Sequence, residues 1–413
     1  MKSDLPELMR TRNLDAILIM GPDGMGAANT AFSYFVNGAH VTSGLILVKP
    51  DGSTHLVHHP MERDEAAHTG LNLINRAQYR MPEIIREFKG DRLKADSELI
   101  RRVFKDLNIT GRVGFYGAET VGKAFSLLKT IAADEYCEVV TEYEKDALSE
   151  AFKTKDARET EFIRQSCELT EKVLGATREF LLEHRTRISV NNEILCKKDG
   201  TPLTIGDVKT FIRRELAVYN LTSDDVIFAI GRDAAVPHSL GTLSDPIQLG
   251  KTIVFDIFPR GPGGYHADIT RTWCLGYASD ELLQAHQQVM QVHAAMEALF
   301  DTQHETWEYQ EAACQLFESM GHTTIARNAG ETNGYVHGLG HGFGLGVHES
   351  PAMSNQGLRP IEKLLPGTIF CNEPGLYYPD KGWGIRVEDD YWVNLEGKIE
   401  RLTEFDRSLV ISM

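Results

Sequence analysis

The stretch His337-Gly-Leu-Gly-His341-Gly-Phe-Gly-Leu-Gly-Val-His348-Glu-Ser-Pro351 decides how the rest of the chain is read. Three histidines fall within twelve residues, and glycine stands at 338, 340, 342, 344 and 346. His337 and His341 are four apart, a spacing that shares one face of a helix. Five glycines at period two argue against a helix, because each costs about 1 kcal/mol there relative to alanine. The pattern predicts extended backbone with one bare face, which something else approaches closely. A lone histidine is usually structural or exposed. Three in a glycine track point to a site.

Carboxylates from three other places complete it. Thr252-Ile-Val-Phe-Asp256-Ile-Phe and Tyr265-His-Ala-Asp268-Ile-Thr270-Arg-Thr read as β-branched strands joined by the turn-rich Pro259-Arg-Gly-Pro-Gly-Gly264. Gly367-Thr-Ile-Phe-Cys-Asn-Glu373-Pro-Gly375 and Gly384-Ile-Arg386-Val-Glu388-Asp-Asp390 follow the histidines. Asp256, Asp268, Glu373 and Glu388 each sit in or at the end of an apolar run, where an unpaired charge is expensive. Strand period places Asp268 with Thr270, and Arg386 with Glu388, on shared faces. Any one of these carboxylates is most simply an outward-facing strand residue. Four of them with a histidine are not.

The order Asp, Asp, His, Glu, Glu within these motifs resembles the pita-bread metallopeptidases, among them methionine aminopeptidase, aminopeptidase P, prolidase and the metal-free relative creatinase. The likeness is strong over about residues 155 to 413. It implies an α/β (α+β) chain with a creatinase-like N-terminal domain over 1–152 and a pita-bread catalytic domain over 153–413. It implies Asp256 on one divalent ion, His341 and Glu373 on the other, and Asp268 and Glu388 bridging them. Four carboxylates against two divalent cations come close to neutral, which suits a partly buried cluster. Oxygen-rich ligation with one imidazole suits manganese, the main expectation, or cobalt, iron or zinc, better than a cysteine-built structural cage. Such a pair acidifies water and polarises a scissile carbonyl. Glu373 is then the proton acceptor, and His238 and His348 would hydrogen-bond the substrate or the oxyanion. The Pro237-His238 pair enters by resemblance, since a Pro-His is unremarkable alone. Arg386 is expected to anchor a substrate carboxylate, to orient a ligand carboxylate, or both. His337 ranks lower, behind the ligands or lining a pocket.

Composition agrees with a soluble enzyme. The formal charge is -16 over 413 residues with no basic stripe, which argues against nucleic acid. Six scattered cysteines without a C-x-x-C pair fit free thiols in the cytoplasm. Met1-Lys-Ser-Asp-Leu-Pro lacks the apolar core of a signal peptide, and no run is long enough to cross a membrane. A domain of about 150 residues ahead of the site argues against methionine aminopeptidase. The complete ligand set argues against creatinase-like chemistry. Two divalent ions cleaving the Xaa-Pro bond of small peptides is the expectation, as an aminopeptidase P or as a prolidase confined to dipeptides. A homodimer is implied by the resemblance.

Along the chain, Leu14 to Met20 reads as a strand stopped at Gly21-Pro-Asp-Gly24, and 43–48 and 53–57 as strands around Pro50-Asp-Gly52. His55, His58 and His59 read as surface histidines, as do His286, His293 and His304. Ala157 to Glu183 reads as a long amphipathic helix. Val190 to Thr204 reads as an irregular inserted loop without a family counterpart. Asp256 and Asp268 are separated by eleven residues, one more than the family pattern, with the extra residue in the Gly-Pro-Gly-Gly turn.

Overall fold

The computed structural model describes the chain except residues 22–28, 190–191 and 359–360. The Gly21–Gly24 stop signal and the start of the 190–204 segment therefore fall largely outside the described residues. The chain divides into two compact units, Met1–Phe152 and Lys153–Met413.

The first unit is built on a six-stranded mixed sheet. Its order is Asn72–Asn75, Thr54–His58, Gly44–Val48, Ala16–Met20, Arg112–Gly117, Glu138–Val140. Ala16–Met20 lies antiparallel to Gly44–Val48 and parallel to Arg112–Gly117. Lys49 to Ser53 closes the 44–58 hairpin, with Gly52 at φ 83. Arg92–Asp106 buries Leu99, Ile100, Val103 and Phe104 against the sheet and turns most of its charges outward, with Glu98 buried and paired to Arg101 and Arg102. The histidine reading needs one correction here. His58 is 4% exposed, because strand period turns it inward with Leu56, and its Nδ1 lies 2.9 Å from the His59 carbonyl oxygen.

The second unit repeats one pattern twice, a pair of helices packed on an antiparallel sheet. Ala157–Leu182 and Ile205–Val218 pack together over Ile227–Ile230, Thr252–Ile257 and Ile269–Leu275. Val173, Leu174, Val208, Ile212, Phe228, Phe255 and Trp273 share that core. Asp280–Leu299 and Thr306–Ser319 pack over a second sheet, ordered Glu349–Met353, Gly340–Gly342, Ile369–Asn372, Asp389–Val393, Ile399–Arg401. Val289, Val292, Phe317, Phe370 and Tyr391 fill that core. Helix starts are specified locally. Asp156 with Glu159, and Thr204 with Asp207, form capping boxes, which satisfy the first free N–H groups.

The described part of the segment read as an inserted loop opens on a strand, Asn192–Cys196. Arg185–Ser189 pairs with Asn192–Cys196, and Leu195 N–H donates to the Ile247 carbonyl at 2.9 Å. Ile194, Leu195 and Cys196 are buried. Only these partners from distant residues make a strand of it, and a local reading sees an irregular polar segment.

The two sheets meet along one seam. Glu388 N–H donates to the Thr270 carbonyl at 3.0 Å, and Asp268 N–H to Asp390 Oδ2 at 3.0 Å. Arg271 reaches across to the Glu388 carbonyl at 2.6 Å and Asp389 Oδ1 at 2.8 Å. Arg386 N–H donates to Thr272 Oγ1 at 2.9 Å. The seam sets residues 268–272 beside 386–390.

Candidate metal centre

Each acidic side chain at the seam is held by the end of a strand. Asp256 lies in Thr252–Ile257 directly opposite Thr270, and Asp268 immediately precedes Ile269–Leu275. Glu373 follows Ile369–Asn372, and Glu388 precedes Asp389–Val393. Strand ends present side chains from a rigid frame to a point where pairing stops. That is how four carboxylates from distant positions converge.

The glycine track supplies the histidine. Gly340–Gly342 is strand, flanked by bends, so extended backbone is confined to the middle of the stretch. None of the five glycines has positive φ. They are there for room. A Cβ on Gly340 would drive into the Cys371 carbonyl oxygen, and one on Gly342 into that of Ser350. The bare face is thus approached by the backbone of neighbouring strands. A register shift between His341 and Gly342 bulges the strand at the histidine and re-aims its side chain.

His341 Nδ1 lies 3.1 Å from the Gly342 carbonyl oxygen and donates to it. Nε2 then carries the free lone pair, 3.8 Å from Asp268 Oδ2 and 3.7 Å from Glu373 Oε1. Those gaps are too long for hydrogen bonds and leave space between the three groups. Burial, then the neighbouring His348, pushes the imidazole down to about 3, so it stands neutral. A buried, neutral imidazole fixed through its other nitrogen is what a cation requires of a histidine.

The carboxylates show the complementary strain. Burial and then Glu388 push Asp268 well above the usual range. Burial and then Glu373 do the same to Glu388. Glu373 is pushed up to about 7 by burial, with Arg386 opposing and Asp256 adding. Asp256 Oδ1 is buried without a hydrogen-bond partner among the described residues, although its Oδ2 receives Arg386. Mutual repulsion, an orphaned oxygen and an open imidazole nitrogen all answer to positive charge placed among them. The donor set therefore fits divalent cations.

Around this core lie the other expected residues. Arg386, 3% exposed, donates from Nη2 to Asp256 Oδ2 at 2.5 Å, from Nε to Thr270 Oγ1 at 3.1 Å and from Nη1 to Tyr377 OH at 2.9 Å. One donor holds Asp256, and the others are taken by Thr270, Tyr377 and the Pro237 carbonyl. Of the two expected uses of Arg386, the ligand-orienting one matches its contacts. His337 Nε2 takes the Tyr377 hydroxyl at 2.9 Å, which ties it into the same chain behind Asp256. His348 is exposed and its ring lies tilted beside that of His341, centroids 4.3 Å apart. His238 is exposed too. The buried carboxylates thus lie deep, and the two exposed histidines stand at the rim.

Several residues escaped the sequence reading. Tyr377 and Thr270 hold Arg386 and Glu388, the latter through Thr270 Oγ1 to Glu388 Oε2 at 2.6 Å. Cys371 is fully buried, and its sulfur accepts from His341 N–H at 3.4 Å. Its position two before Glu373 was the available signal, since strand period puts both on one face. His293, read as a surface residue, is wholly buried on Asp280–Leu299, with Nε2 3.3 Å from Asp389 Oδ2. His286 is also part-buried and bonded, its Nε2 3.0 Å from the Arg407 carbonyl oxygen. Arg271 and Arg407 complete the charge cluster around Asp389.

A sequence model of metallopeptidase family M24 matches residues 161–394. The Xaa-Pro dipeptidase of Pyrococcus horikoshii is 25% identical over 412 residues, covering 98% of this chain and 97% of that protein. The Xaa-Pro dipeptidase of Pyrococcus furiosus is 28% identical over 280 residues, covering 66% and 69%. Among solved structures, the X-Pro aminopeptidase of Thermotoga maritima superposes with a TM-score of 0.72 at 22% identity, covering 100% of this chain and 99% of that one. At such identity the likeness is one of fold, and the fold is the creatinase-like, two-domain pita-bread architecture.

Proposed function

The chain belongs to metallopeptidase family M24, and from that premise we propose that it hydrolyses the Xaa-Pro bond of short peptides at a centre of two divalent ions. Asp256 would hold one ion, His341 and Glu373 the other, with Asp268 and Glu388 shared between them. The observation that carries the reading is the convergence of these five side chains, with carboxyls raised by burial and by one another. When bound, the ions would supply Lewis acidity, polarising the scissile carbonyl and acidifying water.

The chain's own residues do the rest. Glu373, beside the place of the attacking water, takes its proton. His348 and His238 at the rim donate to the carbonyl oxygen as it becomes anionic and help deliver a proton to the departing proline nitrogen. Arg386 fixes Asp256 through Nη2, a charge-assisted bond in a buried place. Tyr377, bonded to both Arg386 and His337, locks the guanidinium in position.

A second reading, strict dipeptidase, is favoured by the nearly full-length match to a relative named Xaa-Pro dipeptidase. Manganese loading and a homodimer belong to the same proposal by resemblance, and sedimentation at twice the chain mass would support the dimer. The deciding experiment strips the purified protein of metal, reloads it with manganese and offers Xaa-Pro dipeptides and Xaa-Pro-Xaa tripeptides. Metal-dependent cleavage of tripeptides makes it an aminopeptidase P, and cleavage of dipeptides alone a prolidase. No cleavage of either by protein holding two ions would overturn the substrate.

A further inference from the structure

We propose that the His341 half of the centre is a mixed sulfur, nitrogen and oxygen site, in which Cys371 is a ligand and which therefore takes a thiophilic divalent ion such as zinc, cobalt(II) or cadmium. This rests on the metal-centre reading above and goes beyond its oxygen-rich ligand set.

One ligand atom from each of Asp268, His341, Cys371 and Glu388 lies within 4.8 Å of all the others. Ligands at the tetrahedral corners of such an ion lie about 3.3–3.8 Å apart. The four atoms are therefore gathered closely enough for modest side-chain movements to bring them onto one cation. Most buried cysteines are small inert hydrophobes packed among apolar neighbours. The sulfur of Cys371 instead faces an imidazole and the carboxylates of Glu388, Glu373 and Asp268.

Its placement is imposed by the backbone. Cys371 lies in Ile369–Asn372 opposite Asp390, and strand period turns it to the face from which Glu373 projects. The N–H of His341 donates to Sγ at 3.4 Å, which holds the sulfur beside the residue bearing the imidazole.

Binding needs no redox partner. The S–H bond breaks, its proton passes to solvent, and the sulfur lone pair forms the bond to the ion. Hard manganese gains little from sulfur, whereas zinc, cobalt and cadmium gain much. The two halves of the centre would then differ in preference, the Asp256 half being all oxygen.

The test loads metal-free protein with cobalt(II), measures bound metal by mass spectrometry and records the absorption spectrum. A near-ultraviolet sulfur-to-cobalt charge-transfer band, lost in Cys371→Ser, is the expected result. Zinc-loaded wild-type protein examined by X-ray absorption should show one sulfur at about 2.3 Å, a readout that needs no variant to fold. Ions bound without the band, or with only nitrogen and oxygen neighbours, overturn this inference and leave the metal centre standing. A band that survives in Cys371→Ser comes from another cysteine and overturns it as well. Failure to bind any ion overturns the metal centre itself, and this inference with it.

Discussion

Replacing Glu373 by glutamine should stabilise the metal-free protein at alkaline pH while ruining its metal site. The folded carboxyl sits at about 7 against an ordinary 4.5, because burial disfavours its charge and Asp256 repels it. Below pH 4.5 folded and unfolded chains both hold the proton, and the group contributes nothing. Between 4.5 and about 7 the unfolded chain releases it first, so stability falls as pH rises. Above 7 the full penalty applies, about 3 kcal/mol for that separation. Glutamine keeps the shape and removes the charge. In chelator-treated protein, Glu373→Gln should therefore gain about 3 kcal/mol over wild type at pH 8 and about 1 kcal/mol at pH 5. Urea titration followed by tryptophan emission reads this cleanly, since all four tryptophans (273, 307, 383 and 392) lie in the second unit. Adding the divalent ion should reverse the order, because ions bind the folded wild type and stabilise it by mass action. An equal gain at both pH values, or a loss at pH 8 without metal, would refute the picture of mutually repelling carboxylates.

Arg386→Lys exchanges a planar fork for a point charge beside Asp256, and metal affinity measured by calorimetry should fall about 10- to 100-fold. Unchanged affinity would mean that the Asp256 contact is incidental. Gly340→Ala places a methyl against the Cys371 carbonyl, with an expected loss of about 1–3 kcal/mol in the same urea assay. Asp389→Asn leaves the buried Arg271 poorly matched, and the second unit should lose about 3–5 kcal/mol. A loss below about 1 kcal/mol would show that water or movement relieves Arg271 easily.

What could be read from the sequence was what is local or periodic. The long helix expected over 157–183 is Ala157–Leu182, and the strand around Asp256 is Thr252–Ile257. Capping residues and hydrophobic period act within a few positions, so their signal survives in one dimension. The two-domain fold and the metallopeptidase assignment expected from the order of the motifs are also what the family match and the fold likeness support. Partners supplied from far away were not legible. Asn192–Cys196 becomes a strand only because Arg185–Ser189 and Ile247 meet it. His293 sits on a helix otherwise rich in polar residues, and nothing nearby announces that Asp389 will bury it.

Cys371 separates these two cases most sharply. Its parity with Glu373 was legible, but whether a strand face looks into a core or into a site depends on which strands lie opposite. Here Gly340 decides that. Without a side chain at 340, the His341 strand closes onto Ile369–Asn372 until His341 N–H meets the sulfur. The glycine track therefore does two things at once. It brings the imidazole to the carboxylates, and it sets His341 N–H on the Cys371 sulfur. A larger residue at 340 would have to push the strands apart, and the same displacement would separate His341 from Asp268 and Glu373. Metal affinity and the packing of these two strands are thus one property of the backbone. A substitution at 340 should lower both together, whereas a substitution at Asp268 should abolish binding and leave the packing intact.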